Sequence, residues 1–250
     1  MNSINSTMTL PSQPLSGLID GLTVLQYLAS STIERGSLEI SRELGMEKTR
    51  VNRILKTLAF LGMAHQTANR RYIPGPGIHI LSAQMLFGSG LINHSLKHLV
   101  KLTELNLVVA MGVLWRDKVS YLYHWEPDIT PLDGLGRIEL FPATQSSIGL
   151  ALLSQKSEEE IQAIFPEEDL PGYSSRKKLT DDLRRFRNQN YVSTMYDGRK
   201  SIAVRLGTPS YAAIALARID RDAPDLHYVQ YLRETVAQIE AISTRFGQVF

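Results

Sequence analysis

A run of basic and amide side chains without acidic neighbours is the feature of this sequence whose chemistry is clearest. No Asp or Glu occurs between Glu47 and Glu104. A polyanion attracts guanidinium and ammonium groups and repels carboxylates, so the run suits a nucleic-acid surface. A solvated face that lacks acids is the alternative on charge alone. The run contains the eight residues that we predict to contact DNA: Lys48, Thr49, Arg50, Asn52, Arg53, Lys56, Arg70 and Arg71.

Helical periodicity places six of these residues on one helix over residues 48–63. The polar residues lie in its first half, and its apolar positions are Val51, Ile54, Leu55, Leu58 and Leu61. A recognition helix enters the major groove with its N-terminal part. There an Arg can bind guanine, an Asn can bind adenine, and Thr or Lys can hold phosphates or base edges.

Two shorter helices are predicted before this one, over residues 18–29 and 38–44. We expect Ser37 to cap the second helix and Gly45 to end it in a left-handed conformation. The first helix has one predicted apolar stripe, formed by Leu18, Leu22, Leu25 and Leu28. Two short helices followed by a polar third helix are typical of a helix-turn-helix.

Residues 65–73 predict a small hairpin, with Arg70 and Arg71 near its tip and Tyr72 at the start of the return strand. A basic hairpin after a recognition helix indicates a winged helix-turn-helix domain, which we place at residues 17–76, with the wing along the DNA backbone. Residues 17–75 contain eight Lys or Arg and five acids, a net charge of 8 − 5 = +3. Residues 1–16 are rich in Ser, Thr, Asn and Pro and predict a disordered leader without a secretory signal.

Residues 77–105 predict a linker helix. Its charge is low and its apolar residues are many, so we expect it to pack against a second subunit in a homodimer or homotetramer. Gly88 and Gly90 are expected to break or bend it. His94 and His98 share a helix face at a spacing that can bind zinc. A solvated or interface pair is the preferred interpretation, because no acid or cysteine accompanies them, and no metal or cofactor is predicted.

The C-terminal part, residues 106–250, predicts an antiparallel sheet flanked by helices, and the whole chain is therefore of the α+β class. Strands are expected over residues 107–115, 119–125, 201–206 and 211–219, and a last helix over about 225–246. Ser157 and Thr180 are predicted caps of two intervening helices. Strand alternation predicts one face that contains Tyr121, Tyr123 and Trp125.

Several segments are similar to the IclR family of bacterial transcriptional regulators. LEISRELG (38–45) and KTRVNRILKTL (48–58) resemble its helix-turn-helix, and RYIPG (71–75) resembles the end of its wing. PATQSSIGLALL (142–153) resembles its Ala-x-Gly-Lys-Ala-Leu-Leu segment, although Leu150 stands where the family usually has Lys, and the acidic stretch near Asp197 is shortened. The resemblance covers about residues 17–250 and implies a GAF-like α+β effector domain at the C-terminus.

The resemblance also implies where a small molecule binds. The family's pocket is formed by the loop before the 147–153 segment and by central strands. The matching positions are Ser146, Ser147, Ile148, Gly149, Ser201, Ala203, Ala215 and Ala217. A helix start with free backbone N–H groups suits a carboxylate, and the Ala and Ile residues favour an apolar or aromatic ligand body. Ordinary packing is the alternative for each of these residues.

The predicted function is a ligand-responsive transcriptional regulator whose partners are a double-stranded DNA operator and a small-molecule effector. Alternatives are a metabolite-binding enzyme, a winged-helix regulator of another family and an RNA-binding module. No Gly-x-Ser-x-Gly elbow, Gly-x-Gly-x-x-Gly turn, P-loop or His-Glu-x-x-His supports an enzyme. The chain has no cysteine, which excludes disulfides and thiolate catalysis. No stretch reaches the roughly 18 apolar residues of a membrane span, and a cytoplasmic location is expected.

Overall fold

In a computed structural model of the chain, the structure describes residues 13–136, 140–166 and 170–243. The chain divides into two compact units, one ending at Gly88 and the other beginning at Ser89. The division falls inside the predicted linker 77–105. Most of the predicted leader, residues 1–12, lies outside the described residues. Within the described ranges, no helix combines the length and the hydropathy that a transmembrane span requires.

The N-terminal unit has the predicted order of three helices, a hairpin and a further helix. The elements are α1 (Ser16–Ala29), α2 (Ser37–Leu44), α3 (Lys48–Phe60), β1 (Ala64–Gln66), β2 (Tyr72–Pro74) and α4 (Pro76–Ser89). β1 and β2 pair antiparallel, with Gln66 opposite Tyr72. Arg35, before α2, forms a further antiparallel bridge with Tyr72, which ties the hairpin to the helices. The predicted winged helix-turn-helix fold is confirmed.

α1 buries the C-terminal half of the predicted leucine stripe, with Leu25 and Leu28, and exposes its N-terminal half. Val24 and Leu28 are fully buried, whereas Leu18 and Leu22 are 59% and 56% exposed. Only part of the predicted stripe therefore belongs to the core. α1 packs against α3 and β2, and this partner surface, rather than the leucine spacing, selects the buried face.

The ends of α2 and α3 differ from the prediction in two details. The N-cap of α2 is Gly36, not Ser37, and the N–H of Gly36 donates to the Glu39 carboxylate at 3.1 Å. Gly45 ends the helix with a φ of +64°, as predicted. α3 ends at Phe60, so Leu61, which we expected to face inward, lies beyond the helix and is 57% exposed.

The predicted linker helix is two helices. α4 ends at Ser89, and α5 (Leu91–Leu102) begins after Gly90. Gly90 has a φ of +64°, a left-handed conformation that interrupts a right-handed helix and that glycine adopts without strain. The linker helix is thus interrupted, and the break occurs at Gly90, one of the two glycines where we expected it.

The C-terminal unit contains, within the described residues, an antiparallel sheet of six strands in the order β5-β4-β3-β8-β7-β6. The strands are β3 (Val108–Trp115), β4 (Lys118–Trp125), β5 (Leu140–Pro142), β6 (Val192–Tyr196), β7 (Arg199–Leu206) and β8 (Ala212–Ile219). The remaining helices are α6 (Ser147–Leu153), α7 (Glu158–Ile164), α8 (Arg176–Gln189) and α9 (Asp225–Ser243). The predicted α+β class is confirmed.

Helices cover both faces of this sheet. α5 and α9 pack on the face that contains Ile202, Val204 and Leu206. α6, backed by α7 and α8, packs on the opposite face, where the sheet is lined by small residues: Ala110, Ala203, Ala213 and Ala215. Ser157 caps α7 as predicted, but Thr180 lies inside α8, whose cap is Ser175.

A register shift in β4 separates the three aromatic residues that we expected on one face. Met111 pairs with Tyr123, but the next residue, Gly112, pairs with Tyr121, so one residue of β4 is extra. The bulge inverts the alternation. Tyr121 therefore faces α6, while Tyr123 and Trp125 lie in the core under α5 and α9.

Candidate nucleic-acid interface and ligand site

α3 exposes the polar residues of its N-terminal half and buries the opposite side. Val51 and Leu55 are fully buried against α1 and α2. The predicted contact residues Lys48, Thr49, Arg50, Arg53 and Lys56 are exposed, and Asn52 is half-buried. The Glu47 carboxylate caps the helix by accepting from the Thr49 N–H at 3.2 Å, and hydrogen bonding to Thr49 lowers its pKa.

Arg50 of α3 is paired with a carboxylate of α1. Its guanidinium forms an ion pair with Asp20. The Asp20 side chain is 17% exposed and the Arg50 side chain 46%. Beside this pair, the first turns of α1 and the exposed side of α3 line an open groove of about 590 Å³, whose α3 residues include Thr49 and Arg53.

The two wing arginines, predicted to act alike, are placed differently. Arg70 is exposed at the tip and has a left-handed φ of 57°. Arg71 turns back onto the helices, where it donates to the Glu39 carboxylate at 2.6 Å and to the Glu34 carbonyl at 3.0 Å. The hydrogen bond from Arg71 lowers the pKa of Glu39, and the same bond raises the pKa of Arg71. Arg71 thus ties the wing to α2.

The three serines of the predicted ligand site meet at the start of α6. Ser146 caps the helix, and its Oγ accepts from the Gly149 N–H at 3.2 Å. Ser147 Oγ lies 2.7 Å from Ser201 Oγ on β7. One of the N–H groups that we expected to be free for a carboxylate, that of Gly149, is therefore already bonded within the chain.

The apolar residues predicted for the same site are packed under α6. Ile148, Ala203 and Ala215 are 1%, 0% and 3% exposed. A Cβ on Gly149 would lie 2.2 Å from the carbonyl oxygen of Ala143, so the backbones here touch too closely for any side chain. The burial of these four fits the packing alternative that we left open, and their contact with a ligand stays a prediction. Ala217 lies opposite Ser201 in the sheet and is only half-buried.

Three aromatic residues that were not predicted for this site lie beside the serines: Tyr121 contacts Ser146, and the rings of His124 and Phe141 lie next to Tyr121. The Tyr121 hydroxyl lies 3.0 Å from Ser146 Oγ. The His124 ring meets the Tyr121 ring edge-on at 5.3 Å, and the Phe141 ring is 6.4 Å from Tyr121. Strict alternation assigned Tyr121 to the opposite face, because the bulge carries no signal in the sequence. The described structure thus offers an aromatic and hydroxyl-rich surface around Ser146.

The histidine pair of the predicted linker lies in α5. His98 Nδ1 is 2.8 Å from Gln238 Oε1 of α9, and burial lowers the pKa of His98. Among the described residues, no group of three or more His, Asp or Glu is arranged to hold a metal ion. His98 therefore contributes to the contact between α5 and α9.

Solved structures of IclR transcriptional regulators have the same fold. One from Brucella abortus is 23% identical, with 97% of this chain and 99% of that chain covered and a TM-score of 0.75. A candidate IclR regulator from Silicibacter sp. is 20% identical, with 93% and 97% covered and a TM-score of 0.76. An IclR homolog from Microbacterium hydrocarbonoxydans, in complex with 4-hydroxybenzoate, is 18% identical, with 87% and 96% covered and a TM-score of 0.66. No protein-family model and no curated protein matches the sequence.

Proposed function

We propose that this protein is an IclR-type transcriptional regulator that binds double-stranded operator DNA through its winged helix and senses a small molecule in its C-terminal domain. The observation that carries the proposal is the exposed, acid-free N-terminal half of α3 on a winged helix-turn-helix. The fold shared with solved IclR regulators supports it. No residue is assigned a catalytic role.

In the proposed complex, the N-terminal half of α3 lies in the major groove. Arg50, Asn52 and Arg53 contact base edges, because Arg and Asn can each form two hydrogen bonds with one base. Lys48, Thr49 and Lys56 contact phosphates or base edges. Arg70, at the tip of the wing, contacts the DNA backbone. Arg71, held by Glu39, supports the wing and contributes charge rather than a free contact.

The proposed effector is a small molecule with an apolar or aromatic body and one carboxylate. Tyr121, His124 and Phe141 offer aromatic contact, and Ser146 and Ser147 offer hydroxyl groups at the start of α6. Ser201 and Ala217 provide the half-buried sheet surface beneath them. The 4-hydroxybenzoate bound by the Microbacterium structure is of this chemical class.

The proposed assembly is a homodimer or homotetramer in the cytoplasm, with 17–76 as the DNA-binding domain, 77–105 as the linker and 106–250 as the effector domain. α4 leaves Ile80, Leu81 and Met85 at 56%, 52% and 62% exposed, a set of apolar residues that a second subunit can cover. A two-fold protein predicts a two-fold operator. Effector binding would shift the relative placement of two winged helices and so change operator affinity.

A gel-shift titration on promoter DNA tests the DNA interface. We expect Arg50→Ala and Arg53→Ala to weaken specific binding by about 1–3 kcal/mol and to relax sequence preference. Arg70→Ala is expected to weaken binding to all sequences and to lower the salt slope by about 1. Arg221→Ala removes the same charge from an exposed position of the other unit and is the matched control. If all three interface variants bind promoter DNA as tightly as the wild type, the proposed DNA interface is wrong.

A thermal-shift screen of aromatic acids, with 4-hydroxybenzoate as the first probe, tests the effector site. A ligand at about 100 times its Kd adds about 2.7 kcal/mol of stability. Ser147→Ala and Tyr121→Phe should reduce the shift without changing the stability of the free protein by more than about 1.5 kcal/mol. A shift that both variants leave unchanged would place the ligand elsewhere.

A further inference from the structure

The ion pair between Asp20 and Arg50 places a carboxylate at the surface that is proposed to face DNA. Asp20 belongs to α1, which is anchored in the core by Val24 and Leu28 and packs directly on α3. The Asp20 side chain is mostly buried, whereas nearly half of the Arg50 side chain is exposed. A fixed carboxylate thus holds one end of a base-contacting arginine, while the rest of the guanidinium remains open.

We propose that Asp20 is a positioning residue that sharpens the base selectivity of Arg50 and, in doing so, weakens the affinity of the protein for DNA of any sequence. The proposal rests on the proposed function. An unrestrained arginine has many rotamers, and ordering it on binding is unfavourable. The carboxylate orders the side chain before binding. The guanidinium has five N–H donors, so donors remain for the O6 and N7 acceptors of guanine.

The weakening of affinity follows from charge. Every phosphate of a bound duplex is negative, so a carboxylate at the interface is repelled by the backbone. Its ion pair with Arg50 also neutralises one of the few cations on this face. A surface that binds DNA without regard to sequence would have a higher affinity without Asp20. The residue therefore improves discrimination and reduces affinity, two effects of opposite sign that ordinary helix packing cannot produce together.

Glu47 supplies the comparison within the same surface. Its carboxylate caps α3 through the Thr49 N–H, and the nearby Arg50 charge helps to lower its pKa, but the ion pair of the Arg50 guanidinium is with Asp20. Glu47→Gln therefore removes the same charge from the same face and leaves the ion pair between Arg50 and Asp20 in place. We expect it to raise affinity for all sequences while leaving discrimination between bases unchanged.

The experiment measures, for each variant, the Kd for the operator, for all single-base variants of the operator and for random-sequence DNA. For Asp20→Ala we expect binding to random DNA to tighten by about 3- to 10-fold. The preference for the operator over a variant in which the guanine contacted by Arg50 is replaced should fall by about 10-fold. Asp20→Asn keeps an acceptor oxygen without the charge, so it should tighten random binding equally and lose less discrimination. In an Arg50→Ala background, Asp20→Ala should no longer change discrimination.

Weaker binding to random DNA by Asp20→Ala, with unchanged discrimination and a lower melting temperature, overturns the proposal and leaves Asp20 as a packing residue. NMR of the Arg50 guanidinium in the free protein supplies a readout that requires no DNA. Rotation about its Nε–Cζ bond should be slow in the wild type and fast in Asp20→Ala, and equal rates overturn the proposal. Absence of any DNA binding by the wild type, with slow Arg50 rotation, overturns the proposed function instead.

Discussion

α3 and α6 both carry predicted contact residues, but the fold packs them in opposite ways. α3 buries one side and exposes the other, so the residues proposed to contact bases and the core residues are different residues. Every residue of α6 is buried. The serines and small residues at its start therefore serve packing and any ligand contact at once.

This difference predicts how separable binding and stability are in the two regions. On α3, replacing an exposed polar residue is expected to change DNA binding and leave the fold intact, since substitutions at exposed positions alter stability little. On α6, the same kind of change alters the packing of the C-terminal unit as well. Substitutions at the buried positions of each helix test this difference.

The largest expected effect is in the buried side of α3. Leu55→Ala should destabilise the winged-helix unit by about 2–5 kcal/mol, because Leu55 is fully buried between the helices. Chemical denaturation, monitored by a probe in this unit, measures the change in the free energy of unfolding. The adjacent exposed Lys56→Ala should stay within about 0.5 kcal/mol of wild type and lose DNA affinity instead. Equal destabilisation by the two substitutions would contradict the division of α3 into a buried and an exposed side.

A smaller but clear effect is expected where α6 meets the preceding turn. Gly149→Ala would bring a Cβ to 2.2 Å from the Ala143 carbonyl oxygen, so the C-terminal unit should lose about 1–3 kcal/mol. Gly21→Ala in α1 is the control, because a Cβ there meets nothing within 4 Å. It should stabilise its helix by about 0.5–1 kcal/mol. A neutral Gly149→Ala would show that the start of α6 has room to move, as a ligand site needs.

The smallest expected effect concerns the wing, and it depends on pH. Because the pKa of Glu39 lies below its ordinary value of 4.5, the pair with Arg71 stabilises the wing fully above that pH. The stabilisation is lost as the pH falls through the lowered pKa. Melting temperatures measured from pH 6 to pH 3 should show an additional acid loss in the wild type that is absent from Glu39→Gln.

Arg71→Ala and Arg70→Ala form a matched pair for the same question. Arg71→Ala should lower the melting temperature of the winged-helix unit at neutral pH, since it removes the bonds to Glu39 and to the Glu34 carbonyl. Arg70→Ala should leave the melting temperature unchanged and weaken DNA binding. The opposite result would indicate that Arg70 stabilises the wing and that Arg71 is the arginine that contacts DNA.

Much of the element order was predictable from local patterns. The helix from Lys48, the hairpin around Arg70, the strands near Ser201 and Ala215 and the cap at Ser157 were each expected within a few residues. The errors lie where a choice depends on a distant partner. Leu18 and Leu22 of the predicted leucine stripe are exposed, whereas Val24 is buried, and the extra residue in β4 turned Tyr121 towards Ser146.

Local patterns were sufficient to predict the fold class, the polar half of α3 and the absence of acids within that helix, because periodicity and charge are properties of neighbouring residues. Three contacts could not be predicted in this way: Arg71 with Glu39, Asp20 with Arg50, and Gly149 with Ala143. These pairings join residues that are 32, 30 and 6 positions apart along the chain. Which oppositely charged groups meet, and how closely two backbones approach, depends on how the elements pack, and no local pattern encodes it.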